Sequence, residues 1–198
     1  MQADFARRAL QHRRASGSDT LLWLAPAVAR LPLAYLRYDD PALPYSRALI
    51  NVTAGAVCGW VFDLAAYLAF GAAGAVALER SAALAAGRGL TILHGPFSTP
   101  DYAAMLDGGL AFDAVTVAAA SLRPAYTQAR QRGAFVLSGG GETPAGDVFE
   151  PAAGLFRVDA GEDMPLALRL ADPLATAEKG DDEAAFLQAV RALVGRDE

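Results

Sequence analysis

Seven short apolar runs punctuate the chain: TLLWLA (20–25), AVCGWVF (56–62), LTILH (90–94), DAVTVA (113–118), AFVLS (134–138), GLFRVD (154–159) and PLALRLA (165–171). Each has the length and the branched or aromatic content of a strand. Between most of them lie segments of helical character, such as PYSRALINVTAG, ERSAALAAG, PDYAAMLDGG and RPAYTQARQRG. Strand alternating with helix predicts an α/β protein on a parallel sheet, open or closed. The last segment, DDEAAFLQAVRALVGRDE, reads as an amphipathic helix with Ala185, Leu187, Val190, Leu193 and Val194 on one side.

Punctuation agrees with this pattern. Asp40-Pro41 and Thr99-Pro100 place a capping side chain before a first-turn proline, and Gly87, Gly108 and Gly133 stand where helices should stop. No internal repeat and no low-complexity linker divides the chain, so one barrel-like domain is expected over residues 1–198. Six or seven strands fit a doubly wound sheet or an incomplete (β/α)8 barrel. In either, chemistry belongs at the C-terminal strand ends: Ala25, Asp63, His94, residues 138–142 and Asp159.

Composition narrows the classes. With 198 residues, 54% hydrophobic, the chain can bury one sizeable core. A net charge of −5 with 20% charged residues argues against a nucleic-acid partner, which would need a basic face. Cys58 is the only cysteine, which excludes an internal disulfide and points to a cytoplasmic setting. The first 19 residues alternate charged and apolar positions and lack the apolar core of a signal peptide. Residues 52–78 carry one charge, Asp63, over a length that could span a bilayer. Their Gly/Ala content and the cost of a mid-bilayer Asp favour a buried strand followed by buried helices, with no membrane partner.

Few residues can carry chemistry. His94, at a strand end before Gly95, has the residue type for an acid, a base or a ligand near neutral pH. His12 lies in the basic first helix and reads as solvated. Two histidines, one cysteine and no acidic cluster beside His94 give no metal site, and no cofactor is called for. LSGGGET (137–143) ends a strand in three glycines, where bare amides can cradle a phosphate or simply turn the chain; neither a Walker motif nor a dinucleotide fingerprint is present. EKGDDE (178–183) reads as a helix N-terminus, with Asp181 and Asp182 meeting the dipole, and contains Lys179, the only lysine.

In order along the chain, several segments resemble orotidine 5'-phosphate decarboxylases. TLLWLAPAVARLP is similar to that family's first strand, and YSRALINVTAGAVCGWVFDLAAYLAFG to the stretch around its second. FDAVTVAAASL and RGAFVLSGGGETPAGDVFE are similar to its fourth and fifth strands. The resemblance implies a barrel and a typically dimeric assembly with sites completed across the interface. It also implies residues that this chain replaces. The ribose-holding aspartate of the first strand is Ala25, the second-strand lysine falls on Val61, and Asp63 stands where asparagine is usual. The third strand's aspartate–lysine–aspartate array is reduced to His94, with the lysine and second aspartate deleted. Residues 175–185, around Lys179, are faintly similar to the turn that leads the family's phosphate grip.

Protonating a vinyl carbanion needs a positioned donor within an electrostatic array, and such arrays act as units. The expectation is therefore a shortened decarboxylase-like barrel that has lost decarboxylation, acting as a non-catalytic paralogue or interaction subunit in a homo- or hetero-oligomer. A barrel without its eighth strand would leave an apolar opening for a partner to cover. The alternative is changed chemistry on a nucleotide or phosphosugar ligand. His94 would pair with Asp63 or Asp101 as acid and base, with the ligand held by Ser138, Gly139, Gly140, Gly141 and Lys179. Residual orotidylate decarboxylation is the third reading.

Overall fold

The structure is a computed structural model and describes residues 2–127, 132–138, 144–160, 166–176 and 180–195. Eight strands close into a barrel in chain order: β1 (Thr20–Leu24), β2 (Gly59–Asp63), β3 (Leu90–Phe97), β4 (Ala114–Val117), β5 (Gly133–Leu137), β6 (Val148–Glu150), β7 (Leu155–Val158) and β8 (Leu166–Ala171). The helices are α1 (Gln2–Ser16), α2 (Leu33–Leu36), α3 (Ala42–Thr53), α4 (Leu64–Leu68), α5 (Gly71–Ala85), α6 (Ala103–Gly108), α7 (Arg123–Thr127), α8 (Pro173–Thr176) and α9 (Glu183–Val194). The expected α/β barrel forms, in modified shape.

Its two halves follow different rules. Strands β1 to β5 run parallel, and they are apolar on both faces because the barrel core lies inside and helices lie outside. Val61, Ile92 and Ala114 point inward while Trp60, Phe62, Leu93 and Val115 meet the helical layer, and all are fully buried. Beyond β6, which is parallel to β5, the chain turns through residues 151–154, with Gly154 at φ 60°. Four residues cannot make a parallel crossover, so β7 returns antiparallel to both neighbours. On β7 and β8 apolar Phe156, Val158, Leu166 and Leu168 alternate with exposed Arg157 and Arg169. These arginines pair with Glu150 at 2.7 Å and Asp19 at 3.1 Å. An antiparallel wall with one wet face needs no helix over it.

The expectation of a missing closing strand is overturned. The run at 165–171 is the eighth strand, paired with β1 through Thr20↔Arg169, Leu21↔Leu170 and Leu22↔Ala171. The strand unread in the sequence is β6, only three residues long. The strands therefore close edge to edge, without the gap that a missing strand would leave. Residues 52–78 fold as the end of α3, β2, α4 and the first part of α5. No helix among the described residues is long and apolar enough to cross a membrane.

Two expected caps differ. Neither Asp40 nor Thr99 makes a side-chain cap bond: Pro41 occupies the N-cap of α3, and Thr99 precedes a 3-10 turn. Asp182 does cap α9, accepting from the amides of Ala184 and Ala185. The buried face of α9 is Phe186, Val190 and Val194, with Ala185 exposed, because Phe186 packs against the Tyr35–Tyr45 pair. Gly133 is not a helix stop but the first residue of β5, where a Cβ would meet the Phe5 ring at 2.7 Å.

That contact shows how the N-terminal end is sealed. Helix α1 lays Phe5, Ala6 and Ala9 across the bottom of the barrel. From Phe5 an aromatic column climbs the axis, its ring centroids separated by 5.6 Å to Phe135, 4.9 Å to Phe156 and 4.0 Å to Phe149. It ends at the C-terminal mouth, where Phe149 meets Trp23 at 6.4 Å and His94 at 5.5 Å.

Candidate functional site

Strand periodicity places the mouth residues. Side chains two apart share a face, so Trp23, His94 and Thr116 project inward above the buried Leu21, Ile92 and Ala114. His94 is held on three sides: the Trp23 ring lies 5.1 Å away, Phe149 packs edge-on, and Nδ1 is 3.1 Å from the Thr116 hydroxyl. That hydroxyl also accepts the Gly95 amide at 3.1 Å. Burial pushes the imidazole below its ordinary value of 6.5, opposed by the charge of Asp63. The shift favours the neutral imidazole at pH 7, and the fully buried Thr116 hydroxyl can donate to its Nδ1 in the tautomer that carries the proton on Nε2.

The carboxylates expected beside it have other tasks. Asp63 is the cross-strand neighbour of His94, but its Oδ1 accepts the Ala66 amide at 3.0 Å and caps α4. Asp101 is exposed on the 3-10 turn at Pro100–Tyr102. Ser138 follows β5, and its amide donates to Phe149 O at 2.9 Å, so it is spent on the β5–β6 ladder rather than offered to an anion. Gly139, Gly140, Gly141 and Lys179 lie outside the described residues. Asp159 is at the opposite end of the barrel, because β7 runs antiparallel; the carboxylate at the mouth end of β8 is Asp172, paired with Arg30 at 2.5 Å.

The positions to which the family resemblance gives a second-strand lysine and a ribose-holding aspartate carry buried apolar side chains. Val61 is fully buried in the barrel core, and Ala25 is buried beyond the end of β1. A neutral His94 bonded to Thr116 can accept or relay a proton. No carboxylate bond to its ring is made among the described residues to stabilise the cation. Trp23, Thr116 and Phe149 are the neighbours that the sequence reading missed. Two carried a signal: Trp23 shares a strand face with Ala25, and Thr116 is a lone polar residue inside an apolar run, which obliges a partner once buried.

Comparison with known proteins agrees with this architecture. No family model matches the chain. It is 32% identical over 158 residues to orotidine 5'-phosphate decarboxylase of Thermomicrobium roseum, an alignment covering 75% of this chain and 54% of that protein. Among solved structures it is similar to one assigned as orotidine-monophosphate decarboxylase from Toxoplasma gondii. The TM-score is 0.59 at 25% identity, over 66% of this chain and 47% of the other. The OMP decarboxylase of Leishmania donovani gives a TM-score of 0.55 at 18% identity, over 67% of this chain and 52% of the other, a likeness of fold. The chain spans about half the length of the relatives it matches. By sequence and by barrel, this chain is related to the orotidine 5'-phosphate decarboxylase family.

Proposed function

We propose that the chain is a non-catalytic relative of the decarboxylases, a barrel kept as a scaffold for association with itself or another protein. The observation that supports this reading best is the aromatic column from Phe5 to Trp23 and His94. Its upper end, where Phe149, Trp23 and His94 meet, occupies the C-terminal mouth at which a TIM-type enzyme keeps its substrate site, with Val61 at the position that the resemblance gives to the second-strand lysine and His94 at that of the third strand's first aspartate. Removing the members of a charged array together costs many powers of ten in rate. Association is supported by the large exposed apolar side chains Leu68, Val76, Tyr102 and Met105, carried on α4, α5, the 3-10 turn and α6.

The test is thermal unfolding of the purified chain with UMP, orotate and ribose 5-phosphate, alongside light scattering across a concentration series. The expected result is no ligand-dependent shift and a mass above one chain. Saturable stabilisation, about 2.7 kcal/mol at a hundred times Kd, would overturn it in favour of a working site. A second reading, altered chemistry at His94, draws support from the neutral imidazole fixed by Thr116, the state a general base requires. It would show as ligand stabilisation lost in His94→Gln. Residual decarboxylation, with a place in pyrimidine synthesis, would require growth of a uracil auxotroph carrying this chain.

A further inference from the structure

The weakest seam of the barrel lies between β5 and β6, where the ladder has two registered pairs, Val136↔Val148 and Leu137↔Phe149. What holds it is a side-chain latch. From α7, the Arg123 guanidinium donates to three carbonyls: Ala134 on β5 at 3.3 Å, Ala145, and Asp147 at the root of β6 at 2.5 Å. The Asp147 carboxylate is 1% exposed, and its Oδ1 accepts the Asp159 amide at 2.8 Å, tying the start of β6 to the end of β7. Among the described residues, the charges facing this carboxylate are Arg123 from α7 and Asp159 beyond β7. Arg123 attracts, Asp159 repels, and the guanidinium spends its donors on backbone carbonyls rather than on the carboxylate.

We propose that the β6–β7 hairpin is a pH-responsive side wall of the barrel, latched through Asp147 and loosened when that buried carboxylate carries its charge. The wall bears Phe149 and Phe156, the middle of the aromatic column, so loosening it uncovers the barrel's apolar axis from the side. The proposal does not depend on whether the mouth is catalytic.

The direction follows from proton linkage. Burial raises the Asp147 carboxyl from 3.8 to about 6, so the closed wall holds a proton that the opened, hydrated wall releases between those values. Opening is therefore unaffected below pH 3.8 and favoured progressively up to about pH 6, by roughly a hundredfold in total. Asp147→Asn keeps an oxygen for the Asp159 amide and cannot ionise.

The test is amide hydrogen exchange of residues 148–158, corrected for intrinsic rates, in the wild-type chain and Asp147→Asn from pH 4 to 8. The wild-type opening constant divided by that of the variant should rise from roughly 3 at pH 4 to roughly a hundred at pH 7.5, levelling off near pH 6. Asp159→Asn, which removes the repelling charge, should move the wild-type rise to lower pH. A ratio that stays flat, or a variant that opens more readily than wild type at pH 7.5, would overturn the proposal. Should Asp147→Asn fail to fold, a wild-type opening constant for residues 148–158 that does not rise between pH 4 and 7.5 relative to that of β2 and β3 overturns it instead.

Discussion

Truncating Phe149 to alanine interrogates the aromatic column at its centre. The side chain is 2% exposed and touches three rings: Phe156 stacked at 4.0 Å, His94 edge-on at 5.5 Å and Trp23 at 6.4 Å. A buried Phe→Ala costs about 3–5 kcal/mol from lost transfer energy and the cavity left behind. Each aromatic pair adds about 0.5–1.5 kcal/mol beyond area. Relaxation is restricted because Phe149 sits on a strand braced by β5 and β7, so the upper half of the range, about 4–5 kcal/mol, is expected. For a domain of this size that lowers Tm by roughly 8–20 °C. Urea unfolding followed by circular dichroism reads the loss directly, and an unchanged m-value would assign it to the native state. A loss below about 1.5 kcal/mol would refute the reasoning, since the ring would then line an open cavity rather than fill a packed core.

Other consequences are equally specific. Gly74→Ala on α5 would push a Cβ to 1.8 Å from the Tyr67 carbonyl, backbone that cannot yield, so loss of soluble folded protein or more than about 2 kcal/mol of stability is expected by denaturation. Asp182→Ala removes the α9 cap and should cost about 1 kcal/mol, read from the urea midpoint. His94 has its folded value below its unfolded one, so its contribution is complete above about pH 6.5 and is lost as pH falls from there towards the folded value. The stability difference between wild type and His94→Gln should therefore shrink on acidification from pH 7.5 to 5; a difference constant with pH would contradict the buried, neutral ring.

The parallel half of this fold is legible because strands covered on both faces must be apolar throughout, which is how GWVFD and AVTV read. The antiparallel half is harder, since alternation in LFRV reports one wet face and is silent on direction. The clue is the connection: PAAG between β6 and β7 is too short for a parallel crossover. Counting VFE as a strand would then have made LALRLA the eighth. At the site, His94 was visible as a rare titratable residue at a strand end. Its surroundings were not, because Thr116, Phe149 and Trp23 come from three other strands and meet only when the barrel closes. Asp63 does stand beside His94, but its Oδ1 turns back to cap α4, so it acts on the imidazole through its charge, a local turn that the strand pattern does not reveal.

If apolar packing at the barrel mouth has replaced the charged array, the chain does not turn over orotidine 5'-monophosphate. The most direct measurement is carbon dioxide release from orotidine 5'-monophosphate by the purified chain, with His94→Gln as control. Release at the uncatalysed rate is expected for both proteins. Turnover by the wild-type chain that His94→Gln abolishes would contradict it.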